Sequence, residues 1–110
     1  VKVLCVCEGG NVRSRALAYM LHDLYHHEAI PVGWRWSSAE TLAMLCGWAD
    51  LIVVMQPWMT GKIAADHAAK VRVVDVGPDT YGLSIPTRLM DAITSAVGFR
   101  DLIAELRVKR

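Results

Sequence analysis

The residues of this 110-residue chain best placed to do chemistry lie near its start, in Cys7-Glu8-Gly9-Gly10-Asn11-Val12-Arg13-Ser14. A cysteine heads the segment and an arginine follows six positions later, with two glycines between them. Glycines let a backbone turn sharply, so that successive N–H groups point into one concavity. A helix beginning near Ser14 would add the positive end of its dipole to the same spot. Residues of this kind in this order make a seat for a dianion such as phosphate, drawn from Glu8, Gly9, Gly10, Asn11, Val12, Arg13 and Ser14. The loop N–H groups and Arg13 would also stabilise a thiolate on Cys7, and a thiolate is the nucleophilic form of cysteine. Arg13 can hold two oxygens with its planar fork, which an ammonium cannot do. Ser14 can hydrogen-bond the sulfur and ease its departure from a covalent intermediate.

Such a loop needs a rigid frame, and the rest of the chain reads as one. Residues 1–7 are apolar and β-branched, the pattern of a strand buried on both faces. Leu17, Met20, Leu21 and Leu24 recur at helical spacing. A weaker strand is expected over 30–36, and then a short helix with Ser38 as N-cap and Gly47 as its stop. Leu51-Ile52-Val53-Val54-Met55 forms the third strand, and Pro57 suits the first turn of a helix over 57–69. The fourth strand is expected at 71–76, a polar turn at 77–86, and a last helix carrying Leu89, Ile93, Val97, Leu102 and Leu106. Strands alternating with helices predict a single α/β domain over 1–110, a four-stranded parallel sheet with helices on both faces. Ligands of such sheets bind beyond the carboxyl ends of the strands. Those ends carry Cys7-Glu8-Gly9-Gly10, Ser37-Ser38, Gln56-Pro57-Trp58 and Gly77-Pro78-Asp79.

Composition narrows the classes. Hydrophobic residues make up 54% of the chain and charged residues 21%, which reads as globular. A net charge of +1 gives no reason to expect nucleic acid or an anionic membrane as partner. No apolar run would cross a bilayer, and the first residues read as a strand rather than a signal peptide. Three cysteines argue against a disulfide scaffold and for the reducing cytoplasm. Cys5 and Cys46 read as core residues. His22 and His26, with His27 adjacent, read as a solvated helix face, and no metal or cofactor is expected. Trp34 and Trp36 would share a strand face that packs on the domain or else stands as an exposed patch, while Trp58 is as well placed for the pocket as for the core. Arg88, Arg100, Arg107, Lys109 and Arg110 read as an ordinary solvated face.

The cysteine, five residues, arginine and serine after a first strand resemble the signature of the low-molecular-weight protein tyrosine phosphatases, especially the compact forms of bacteria and their phages. Ser37-Ser38-Ala39-Glu40-Thr41 looks like that family's second-strand exit, and Trp48-Ala49-Asp50-Leu51-Ile52-Val53-Val54-Met55 like its third strand. The resemblance implies a strand order of 2-1-3-4 and a cysteine-dependent phosphomonoesterase working through a phosphocysteine. The substrate would be a phosphotyrosine protein or a small aryl phosphate, with Cys7 as nucleophile and Arg13 on the phosphate. The family takes its general acid from a late loop, which points to Asp79, with Asp75 in reserve. Three positions depart from the pattern. Gly10 stands where the family has asparagine, with Asn11 after it; Glu8 puts a carboxylate beside the anion seat; Val12 replaces a cysteine that in many members gives oxidative protection. Three other readings stay open: a phosphate-binding module without turnover, a phosphocarrier resembling sugar-transport IIB components, and an arsenate reductase. Arg13 argues against the carrier. The absence of cysteines after Cys46 argues against the reductase relay.

Overall fold

In the computed structural model, which describes residues 1–10, 12–81 and 87–108, the first apolar run forms β1 (Lys2–Cys7), buried from Val3 onward. Alternate residues of a strand face opposite sides, and here both sides are covered. Val3, Cys5 and Cys7 enter one core with α1 (Arg13–Asp23), α3 (Thr87–Ser95) and α4 (Phe99–Val108). Leu4 and Val6 enter a second core with α2 (Ala39–Trp48), Met59 and Ile63. Two more strands frame β1: β2 (Glu28–Gly33) pairs with one edge and β3 (Leu51–Val54) with the other, while β4 (Val71–Val73) completes the sheet beside β3. All pairings are parallel and the order is β2-β1-β3-β4, as the resemblance implied. Helices on both faces also agree with the sequence reading.

Three stretches differ most from expectation. The second strand runs over Glu28–Gly33 rather than 30–36, because its register is set by β1, with Lys2 opposite Glu28 and Cys7 opposite Gly33. Trp34 and Trp36 therefore lie beyond the sheet and do not share a strand face, and Trp36 is 78% exposed. The stretch 57–69 is not one helix but two short 3₁₀ turns, Pro57–Lys62 and Ala65–Lys70. Between them Ile63 takes an extended backbone and is buried, and Gly61 weakens any helix running through it. The last helix is likewise two, α3 and α4, which part at Gly98. Its φ is +94°, and a Cβ there would lie 2.1 Å from the Val73 carbonyl oxygen, so only glycine can turn against β4.

Smaller details agree. Ser38 caps α2, its Oγ accepting the Thr41 N–H at 3.1 Å, although the helix continues through Gly47 to Trp48. Beyond β4 the Val74 N–H still reaches the Val54 carbonyl at 3.0 Å and the Val76 N–H that of Met55 at 3.2 Å. The strand itself is thus shorter than the expected 71–76, and these two bonds continue its contact with the β3 side. Residues 82–86 of the predicted polar turn, Asn11, and the terminal Lys109 and Arg110 lie outside the described residues.

Candidate active site

Cys7 ends β1 and is 2% exposed, so its sulfur sits at the floor of the loop that follows. The loop is shaped by its neighbour strand. Gly10 has φ +77°, and a Cβ on it would meet the Gly33 nitrogen at 2.4 Å, so glycine is required where the family resemblance expects asparagine. On the β2 side the Trp34 N–H donates to the Cys7 carbonyl and the Arg35 N–H to the Glu8 carbonyl, both at 3.1 Å. With those carbonyls engaged outward, the Gly10 N–H turns inward and donates to Cys7 Sγ at 3.2 Å. Ser14, fully buried in the first turn of α1, places its Oγ 3.1 Å from the same sulfur, and the hydroxyl donates once the sulfur is ionised. Val12 is buried in the core and anchors the loop's exit, whereas nothing crowds the position of Gly9. Asn11 lies outside the described residues, so its expected place among the phosphate contacts stays a proposal.

Arg13, the first residue of α1, is 2% exposed. A buried guanidinium needs partners. Its Nη1 donates to Gln56 Oε1 at 2.6 Å and to the Gly77 carbonyl at 2.9 Å. Gln56 follows β3 and Gly77 follows β4, so the exits of three strands converge on this side chain. Its buried Nε–H has no hydrogen-bond partner among the described residues. An oriented cation with an unspent donor beside a sulfur can take one or more oxygens of a tetrahedral anion. Neither Gln56 nor the Gly77 carbonyl was singled out from the sequence as a brace. The available signal is position: both residues stand in the strand-end groups, Gln56-Pro57-Trp58 and Gly77-Pro78-Asp79, that are expected to gather.

The segment bearing Asp79 is tied to this centre. Gly77, two residues earlier, has φ +74° and carries the carbonyl bound by Arg13. The Tyr81 hydroxyl donates to the Val76 carbonyl at 2.8 Å, and Arg88 lies over the Tyr81 ring and donates to the Thr80 carbonyl at 2.7 Å. Arg88 is therefore a brace on this segment, which corrects its reading as one of an ordinary solvated set. Asp79 is exposed and makes no ion pair among the described residues. Asp75 is exposed too, but its carboxylate is used locally, accepting the Gly77 N–H at 3.0 Å. Glu8, the other acid, pairs with Arg35 at 3.3 Å.

Around the rim the Trp34 and Trp58 rings meet edge to face at 5.6 Å, and the Lys62 ammonium lies 4.2 Å from the centre of Trp34. Trp58, half-exposed, thus packs on Trp34 rather than in the core. The remaining thiols stand apart. Burial pushes the Cys5 thiol up, and the neighbouring Cys7 pushes it further, so it stays protonated in the core. Burial also raises the Cys46 thiol, which belongs to the core on the opposite face. His26, with φ +62°, and His27 close the end of α1, the His27 N–H reaching the Leu21 carbonyl at 3.0 Å. Among the described residues no group of three or more His, Cys, Asp or Glu could hold a metal ion, and no helix is long and apolar enough to cross a membrane.

Neither a model of a known protein family nor a curated protein sequence matches the chain. Solved structures do. Wzb of Vibrio vulnificus, in complex with benzylphosphonate, superposes with a TM-score of 0.65 over 98% of this chain and 97% of that one, at 20% identity. The tyrosine phosphatase Wzb of Escherichia coli K30, in complex with phosphate, gives 0.71 over 96% and 97%, at 16% identity. The chain has their fold, a four-stranded parallel sheet flanked by helices from end to end.

Proposed function

We propose that this chain is a cysteine-dependent phosphomonoesterase acting on aryl phosphates, with phosphotyrosine in a protein as the natural case. One observation carries the reading. A buried sulfur accepts the Gly10 N–H and faces the Ser14 hydroxyl, beside a buried arginine clamped from two other strand ends with its Nε–H unspent. The fold neighbours add weight, since one is described as a tyrosine phosphatase bound to phosphate and the other binds a phosphonate carrying an aromatic ring. The resemblance noted in the sequence points the same way.

In the proposed reaction the Cys7 thiolate attacks phosphorus in line, forming an S–P bond as the ester O–P bond breaks. Asp79 gives its proton to the departing oxygen. The loop N–H groups and Arg13 hold the charge on the equatorial oxygens through the transition state. Water then attacks the phosphocysteine while Asp79 takes a proton from it, and the Ser14 hydroxyl stabilises the thiolate that leaves. A binding module without turnover would be favoured by the charge of Glu8 and by the shift of asparagine to Asn11. Arg35, 3.3 Å from the Glu8 carboxylate, offsets the repulsion a dianion would meet, so Glu8 is no argument against turnover. The phosphocarrier reading is disfavoured by the buried Arg13. The buried thiols fit a reducing compartment, and we place the protein in the cytoplasm.

The test is hydrolysis of p-nitrophenyl phosphate by the wild type and by Cys7→Ser, with circular dichroism recorded on both. Turnover in the wild type and none in a folded Cys7→Ser is expected. A folded mutant that still turns over would remove Cys7 from the mechanism.

A further inference from the structure

Glu8 follows the candidate nucleophile directly, its Cα about 3.8 Å from that of Cys7. A carboxylate there works against a phosphate dianion, and its carbonyl, not its side chain, fixes the loop. Two backbone hydrogen bonds, Trp34 N–H to the Cys7 carbonyl and Arg35 N–H to the Glu8 carbonyl, already hold the loop against the exit of β2. The close approach of Gly33 to Gly9 and Gly10 locks the same contact. The ion pair between Glu8 and Arg35, 3.3 Å apart with the side chains 42% and 54% exposed, is therefore superfluous to the fold. Exposed pairs of this kind are weakly held and screened by salt.

The two partners are not equivalent. Glu8 is a short side chain on a loop pinned at both faces. Arg35 is a long one whose guanidinium also lies over the exposed Trp36 ring, 5.5 Å from its centre, so it has a second place to rest. A cationic group arriving beside the phosphate can replace Arg35 on Glu8 at little cost. An anionic group must strip Arg35 away and leave Glu8 bare beside the phosphate.

We propose that Glu8, with Arg35 as a displaceable counter-ion, selects phosphoesters that carry a positively charged group next to the phosphoryl-bearing residue and rejects those with acidic neighbours. The inference rests on the phosphatase reading and names its substrate class: phosphotyrosyl peptides with basic flanks. Recognition is by fixed charge at the rim, so it acts on binding of the flank and not on the chemistry of the phosphoryl group.

The experiment uses two phosphotyrosyl peptides that differ only in having lysine or glutamate on either side of the phosphotyrosine. Their kcat/KM ratio is measured at low and high ionic strength. Affinities for both are measured on the Cys7→Ser protein, and p-nitrophenyl phosphate serves as a substrate without flanks. The lysine peptide should be favoured by about fivefold or more at low salt, with the ratio shrinking as salt rises. Glu8→Gln should bring the ratio close to one, and Arg35→Met, which leaves the loop residue in place, should raise it. A ratio unmoved by Glu8→Gln, or a preference for the glutamate peptide, overturns the proposal while leaving the phosphatase intact. No turnover of p-nitrophenyl phosphate together with no binding of either peptide would overturn both.

Discussion

A guanidinium held by Gln56 and the Gly77 carbonyl has its plane fixed before any ligand arrives, so Arg13 is committed to one geometry. An ammonium in its place could satisfy those two acceptors but would have no second donor in the plane to give to an oxygen. Arg13→Lys is therefore expected to lower both the rate on p-nitrophenyl phosphate and the affinity for vanadate by at least about tenfold, or ~1.4 kcal/mol. Unchanged rate and affinity would make Arg13 a structural brace alone. The two aspartates are separated by what their carboxylates do. Asp75 is occupied by the Gly77 N–H, whereas Asp79 makes no ion pair among the described residues. A good leaving group departs without a proton and a poor one does not. Asp79→Asn should accordingly slow phosphotyrosine by ~10²–10⁴-fold while p-nitrophenyl phosphate suffers much less. Asp75→Asn keeps an acceptor for the Gly77 N–H and should move neither rate. The reverse pattern would transfer the acid role to Asp75.

Elements set where these residues stand, and their ends are decided by contacts that local pattern does not contain. Gly98 is the sharpest case. Leu89 with Ile93 and Leu102 with Leu106 are each spaced i, i+4, so both stretches read as helix, although the nine residues from Ile93 to Leu102 set the two pairs half a turn out of phase. The break comes from the Val73 carbonyl, 25 residues earlier, into which a Cβ would project at 2.1 Å. Gly98→Ala combines that clash with a strained left-handed backbone, and about 2–4 kcal/mol of destabilisation is expected, a drop in Tm on the order of 10 °C. A Tm unchanged by the substitution would mean the turn is not fixed by this contact. The same logic separates what the sequence disclosed from what it did not. β1 and β3 are legible because burial on both faces leaves a continuous apolar run, and Ser38 is legible because a cap is a local device. β2 is shifted because Trp34 and Trp36 look like strand residues while register with β1 ends the strand at Gly33. In the site, Cys7, Gly10, Arg13 and Ser14 fall within eight residues and declare themselves. Gln56 and Gly77 lie 43 and 64 residues from Arg13, and only the sheet order brings them together.

At the scale of the molecule, the proposed anion seat is the place where parts distant in sequence meet. Cys7 ends β1, the Arg13 guanidinium begins α1, and its two braces follow β3 and β4, while the far side of the loop rests on the exit of β2. All four strands thus contribute to one centre, and a ligand in it is linked to the stability of the whole sheet. A ligand that binds only the folded state stabilises it by about 2.7 kcal/mol at one hundred times its Kd. For a chain of this size that corresponds to a rise in Tm on the order of 10 °C. Vanadate titrated into the wild type while Tm is followed should give such a rise, growing with the logarithm of concentration. Gln56→Ala removes one brace from Arg13 without touching the sulfur or the loop, so it should weaken vanadate binding and shift the whole titration to higher concentration. Gly98→Ala should lower the starting Tm yet leave the vanadate increment intact, because the turn lies outside the seat. If Gln56→Ala reproduced the Gly98→Ala pattern, with a lower Tm and an unchanged increment, Gln56 would serve the fold alone. The convergence on Arg13 would then be a packing arrangement rather than a device for holding the anion.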